Sequence, residues 1–153
     1  MISNDTEDAG RARVVAEARG WIGCPYHHAA AIRGAGVDCA RILIEVYADA
    51  GLIDRFTPEP YPHDWHLHRD AERYLDQVLV YAREIAPAQI KPGDIVVWQN
   101  GRTFSHGAIV TDWPRVVHAY APAGIVEEVD VTGSAMMRRG AGERPMRAFS
   151  FWG

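Results

Sequence analysis

Apolar residues recur every three or four positions over two N-terminal stretches, then in alternation or short unbroken runs through the C-terminal half. From Glu7 to Trp21, Val14, Val15, Ala18 and Trp21–Ile22 return at helical spacing with charges between them, and Gly20 and Gly23-Cys24-Pro25 stop the pattern. Tyr26 to Gly36 reads as a loop carrying His27 and His28. A second helix is predicted from Cys39 to Ala50, ended by Gly51, with Ile42, Leu43, Val46, Tyr47 and Ala50 on its buried face. Pro58, Pro60 and Pro62 make a stiff connector, and Asp64 is placed to cap a third helix from Leu67 to Arg83, with Val78 and Leu79 among its inward residues.

Beyond Ile90-Lys91-Pro92-Gly93-Asp94, a turn, the period changes. Ile95-Val96-Val97-Trp98 is a buried strand and Asn100-Gly101 a hairpin signal. Strands follow at Phe104 to Thr111, Val116 to Tyr120, Ile125 to Val131 and Met146 to Trp152. Helices first and an antiparallel meander afterwards predict an α+β fold in one domain spanning residues 1–153.

Composition narrows the classes. The chain has 153 residues, 48% of them hydrophobic, enough for one packed core. Its formal charge of −4, with no basic block, argues against nucleic acid as the main partner. No apolar run approaches the ~20 residues that span a bilayer. The start, Met1-Ile2-Ser3-Asn4-Asp5-Thr6-Glu7-Asp8, has neither the basic nor the apolar part of a secretory signal. Synthesis in the cytoplasm is expected, with any action outside the cell depending on another carrier.

The two cysteines differ in setting. Cys24, in a helix-ending turn, reads as a small buried hydrophobe. A Cys24–Cys39 disulfide is open by separation, and two free thiols are preferred. Cys39 follows the flexible Arg33-Gly34-Ala35-Gly36 run and Val37-Asp38, and opens the second helix. Backbone N–H groups and the helix dipole there favour a thiolate, an arrangement that can lower a thiol pKa from ~8.5 to roughly 3.5–7.5.

Two histidines lie on neighbouring strands, in Ser105-His106-Gly107-Ala108-Ile109-Val110 and Val116-Val117-His118-Ala119-Tyr120. Hairpin pairing sets them side by side. With both histidine faces turned toward the Cys39 helix, the three residues line up as nucleophile, base and orienter.

These segments, with Gly23-Cys24-Pro25-Tyr26 and Pro92-Gly93-Asp94-Ile95-Val96, resemble the NlpC-type cysteine peptidases, a papain-like family of rearranged chain order that cleaves peptidoglycan stem peptides. The resemblance implies helices packed on a central antiparallel sheet, with the nucleophile at a helix N-terminus. It implies Cys39, His106 and His118 as catalytic residues, and no cofactor or metal. Tyr26 would help bind substrate or the oxyanion; Asp38, Ser105, Trp65 and His66 are the other candidates on the substrate side. It points to the D-γ-glutamyl–diaminopimelate bond. The Asp64-Trp65-His66-Leu67-His68 segment and the compact length look most like the phage-tail branch, which would make tail proteins partners and the virion a carrier to the cell wall. Ala40, where Ser is usual, and His27-His28, where small residues are usual, depart from the pattern.

Competing readings are a tail component with weak or no hydrolysis, and an amidase or acyltransferase on the same fold. Zinc at Cys39, His106 and His118, or at His63, His66 and His68, is disfavoured because paired zinc spacings and HExxH are missing. Glu127, Glu128 and Asp130 read as the wet face of a strand, Met136-Met137-Arg138-Arg139 as a surface loop, and Trp152 as a core plug.

Overall fold

A computed structural model describes residues 4–57, 76–100, 103–134, 137–139 and 142–153. Helix α1 is Asn4–Arg19 and helix α2 is Cys39–Asp49. Between them the predicted loop contains a short hairpin, β1 (Ala31–Ile32) with β2 (Gly36–Val37), which leads the chain straight into α2. Strand β3 (Arg83–Ile85) follows a helical turn at residues 76–78. The chain then forms β4 (Ile95–Asn100), β5 (Thr103–Asp112), β6 (Arg115–Tyr120), β7 (Ile125–Asp130), the small pair β8 (Arg138–Arg139) and β9 (Gly142–Glu143), and β10 (Met146–Ser150).

The principal sheet is antiparallel in the order β3-β10-β4-β5-β6-β7. The predicted meander is present as β4 to β7. The last strand, however, returns to lie between β3 and β4, with Ala148 opposite both Ile85 and Val96. Arg83 therefore belongs to a strand and not to the end of the third helix, which within the described residues is helical only at 76–78, with Val78 buried; its earlier part, and the His63 to His68 segment, lie outside the described residues. Arg83 is held there by its Nε, which donates to the Trp152 carbonyl at 3.0 Å. Strands β4 and β5 pair as far as Asn100 and Thr103, while residues 101–102 of the expected turn lie outside the described residues.

Both faces of the sheet are covered, which explains the unbroken apolar run in β4. On one face Ile95, Val97, Ile109, Val117, Ala119 and Val126 pack with Val14 and Ala18 of α1 and with Ile42, Leu43, Val46 and Tyr47 of α2. On the other, Val96, Trp98, Ala108, Val110, Val116 and Ala148 make a second cluster. Met137 belongs to that second cluster, its sulfur accepting the Trp98 indole N–H at 3.3 Å; it is not merely a surface-loop residue. The second cluster gives the strongly apolar strands a use for their second face.

The Pro92-Gly93-Asp94 turn ties the helices to the sheet. Asp94 is fully buried and accepts from Arg11 Nη1 at 2.8 Å, while the same guanidinium nitrogen donates to the Pro92 carbonyl at 2.9 Å. Tyr47 of α2 donates its hydroxyl to the Gly93 carbonyl at 2.8 Å. Gly93 has φ +90, a left-handed conformation that side-chain-bearing residues rarely adopt, and a Cβ there would meet the Trp152 ring at 3.2 Å. Trp152 is buried beneath the Arg11 guanidinium, 4.4 Å from the ring centre, and acts as the core plug expected.

Candidate active site

Asp38 begins α2 as its N-cap, with extended backbone and a side chain that accepts from Ala40 N at 3.1 Å and Arg41 N at 2.8 Å. These bonds satisfy two of the N–H groups that a helix start leaves open. The second carboxylate oxygen accepts from Ala29 N at 2.6 Å. Ala29 has φ +59, a conformation that costs a non-glycine residue of order 1 kcal/mol or more, and this bond helps hold it. At 1% exposure, Asp38 serves in this structure as a helix cap and a loop anchor.

Cys39, which follows, is buried, with 8% of its surface exposed. The Tyr26 hydroxyl hydrogen-bonds its sulfur, and the N–H groups of Cys39 and Ala40 favour the thiolate. Burial and the adjacent Asp38 carboxylate oppose them and win, so the thiol is pushed up to about 12. This reverses the lowered pKa expected from the helix start alone. The N–H groups and dipole act as anticipated, but the water that would solvate a thiolate is excluded and a carboxylate stands beside it. Tyr26, half-buried, is itself held protonated, first by burial and then by Cys39 and Asp38, which keeps its hydroxyl a donor.

His106 and His118 come together as expected, with His106 Nε2 and His118 Nδ1 2.9 Å apart. Their rings meet edge to face at 5.2 Å, and Tyr120 stacks on His118 at 4.9 Å. His118 is fully buried and His106 is 9% exposed. Desolvation pulls the His118 pKa below its ordinary 6.5, outweighing the hydrogen bond and charge of Glu127, which push it up. The His118 ring is accordingly neutral at pH 7.

The route from the histidines to Cys39 differs from the expected one. Positions that face α2 are Gly107, Ile109, Val117 and Ala119, whereas His106 and His118 alternate with them on the side of Trp98 and Val116. The histidine faces are thus not turned toward the packed face of the helix. The ends of the elements are what converge. Leu43, one turn along α2 from Cys39 on the same side, covers Gly107 so closely that a Cβ there would lie 2.6 Å from its Cδ1. A register shift at Trp98/Gln99 bends β5 beside His106. Tyr26, which contacts the sulfur, donates its backbone N–H to Gly124 O at 2.8 Å, and Gly124 in turn donates to the Tyr120 carbonyl at 3.0 Å.

Glu127 completes the cluster, and sequence reasoning missed it. It lies opposite His118 in the β6–β7 register, and its Oε1 is 2.9 Å from His118 Nε2. The short connection from Ala121 to Gly124 was the available signal, since it pairs Tyr120 with Ile125 and so sets 118 against 127. Glu128 points to the other side, accepting from Arg19 Nε at 3.1 Å and from the Thr111 hydroxyl at 2.8 Å. Neither glutamate is simply solvated; Asp130, exposed and accepting from Thr132 N at 2.8 Å, fits the wet-face expectation.

Of the remaining candidates, Trp65 and His66 lie outside the described residues, as does the side chain of Ser105. Cys24 is a free, buried thiol in the helix-side core, in line with its reading, and Cys39 is also free of any disulfide. Among the described residues no cluster of three or more His, Cys, Asp or Glu is arranged to hold a metal ion, and no helix is long and apolar enough to cross a membrane.

No family model matches the sequence, and no curated protein matches it significantly. Solved structures do. The NlpC/p60 domain of the peptidoglycan hydrolase SagA matches over 90% of this chain and 96% of its own, at 21% identity and a TM-score of 0.58. The peptidoglycan hydrolase RipB of Mycobacterium tuberculosis matches over 99% of this chain and 69% of its own, at 17% identity and a TM-score of 0.67. RipD of the same organism, described as a non-catalytic NlpC/p60 domain protein adapted to peptidoglycan binding, matches over 94% and 98%, at 14% identity and a TM-score of 0.59. The chain has the NlpC/p60 fold.

Proposed function

We propose that the protein is a cysteine peptidase of the NlpC type that hydrolyses peptide bonds of peptidoglycan stems. One observation carries this reading: a buried imidazole pair, His106 Nε2 to His118 Nδ1 at 2.9 Å, on a fold that also sets a thiol at a helix start. A scaffold has no need of that pair. Because Nε2 of His106 is committed to His118, Nδ1 is the nitrogen assigned to the thiol. His106 Nδ1 takes the Cys39 proton as the sulfur attacks the carbonyl carbon, so that proton transfer and attack proceed together from a thiol rather than from a standing thiolate. The Cys39 N–H and the Tyr26 hydroxyl support the oxyanion. His106 then returns the proton to the departing amine nitrogen. Water, deprotonated by the same nitrogen, releases the acid from the acyl-enzyme.

The D-γ-glutamyl–diaminopimelate bond and delivery by a phage tail rest on the sequence resemblance, the latter on the segment around Trp65. A second reading, binding of the same peptides without cleavage, is favoured by the raised thiol pKa and by the likeness to RipD. Digestion of purified muropeptides, followed by mass spectrometry, separates the two. Wild type is expected to release new fragments and Cys39→Ala none; equal release by both proteins removes Cys39 as nucleophile. Tight muropeptide binding by both, with no fragments, establishes the binding reading.

A further inference from the structure

We propose that Glu127 is a positioning residue that fixes the tautomers of the His118–His106 pair; its role in catalysis rests on the hydrolase reading above. An ionised carboxylate only accepts hydrogen bonds. Glu127 Oε1, 2.9 Å from His118 Nε2, therefore requires the proton of the neutral His118 ring to be on Nε2. His118 Nδ1 is then a lone pair. It accepts from His106 Nε2 at 2.9 Å, which places the proton of a neutral His106 on that nitrogen as well. His106 Nδ1 is left with its lone pair, the form a base needs to take a proton from a thiol. One charge at the outer end of the row thus sets the hydrogen-bonding sense of both rings.

The surroundings sharpen the assignment. His118 is fully buried, so solvent does not compete for its nitrogens. Tyr120 covers its face at 4.9 Å and an interplanar angle of 18°, which restricts rotation of the ring out of the row. Glu127 sits on the neighbouring strand directly opposite His118, so its backbone is held by the β6–β7 ladder. Its side chain keeps 28% exposure, consistent with a carboxylate that remains solvated on its far side. Without Glu127, either tautomer of His118 satisfies the pair, and half of the possible arrangements present His106 Nδ1–H to the thiol, which cannot accept its proton.

The test reads protons on ring nitrogens of the whole chain without substrate, by 15N–1H correlation spectroscopy of histidine-labelled protein at pH 7.5. Wild type is expected to show Nε2–H on both His118 and His106. Glu127→Gln preserves size but offers an amide that donates as readily as it accepts, so His118 is expected to populate Nδ1–H. Hydrolysis, or alkylation of Cys39 at the same pH, should then fall by about 10- to 100-fold, a loss no larger than the 10²–10⁴-fold that a positioned base contributes. Glu128→Gln makes the same charge change one residue away, on the other side of the strand, and should leave the ring protons where they are. Nδ1–H on His118 in the wild type, or ring protons unmoved by Glu127→Gln, overturns the assignment even if the protein hydrolyses muropeptides. The spectra need no substrate, so they decide the tautomers whether or not the protein proves to be a hydrolase.

Discussion

At Cys39 several groups compete for one proton. The N–H groups of Cys39 and Ala40 and the Tyr26 hydroxyl pull toward the thiolate, while burial and Asp38 hold the proton on sulfur, up to about 12. Asp38 also caps α2, so it holds the helix start that carries the thiol while its charge opposes the thiolate. Asparagine keeps most of an N-cap's value while removing the charge. In Asp38→Asn the thiol pKa is expected to fall by about one unit, the usual effect of removing a nearby like charge. Between pH 8 and 10, below the folded value, the thiolate fraction and the iodoacetamide alkylation rate of Cys39 then rise roughly tenfold. A rate equal to or below that of wild type would show that Asp38 does not control the thiol. Asp38 and Cys39 were both legible in sequence as residues of a helix start, but the sign of the pKa shift was not, because desolvation depends on what packs over the sulfur.

Elements place these residues through close contacts at a few positions. Gly107 is the point where β5 admits α2, with Leu43 resting where a Cβ would be. Leu43→Ala is expected to cost about 2–5 kcal/mol, by removing buried methyl groups and leaving a cavity. Gly107→Val is expected to cost about 1–3 kcal/mol by overpacking. Combined, the larger residue fills the space left by the smaller, so the double variant should be more stable than the sum of the single effects by at least ~1 kcal/mol. Urea unfolding of the four proteins measures this, and additivity within about 0.5 kcal/mol would mean that the two positions do not share the space. Periodicity revealed the helix faces and the strands here. It did not reveal which strand face looks toward α2, since β5 and β6 are apolar on both faces and alternation alone has no preferred side.

At the scale of the whole molecule, a buried ion pair joins the two halves of the chain: Arg11 of α1 with Asp94 just before β4, at 2.8 Å and with side-chain exposures of 9% and 0%. Asp94→Ala leaves the guanidinium buried beside Trp152 with only the partly exposed Glu7, 3.0 Å from its Nε, as countercharge, and is expected to cost about 3 kcal/mol, the low end of what breaking a buried pair costs. Replacing both partners, as Arg11→Met with Asp94→Leu, should cost less than Asp94→Ala alone, because no buried charge then loses its partner; Glu7, which loses Arg11, is partly exposed to solvent. Chemical denaturation of the three variants reads the difference; a double variant no more stable than Asp94→Ala would mean that the pair's hydrogen bonds, and not the stranded charge, dominate.

The local pattern of the chain by itself determined the helices around Val14 and Leu43, the strands from Ile95 onward, the helix-start position of Cys39 and the hairpin that joins His106 to His118. Each of these follows from side-chain periodicity, turn chemistry and capping over a few residues. Tertiary structure decided what depends on partners far along the chain: the return of Met146–Ser150 between β3 and β4, the face on which the histidines lie, the protonated state of the Cys39 thiol and the place of Glu127 behind His118. Strand order, desolvation and cross-strand register are properties of what packs together, and a single stretch of sequence carries only one side of each.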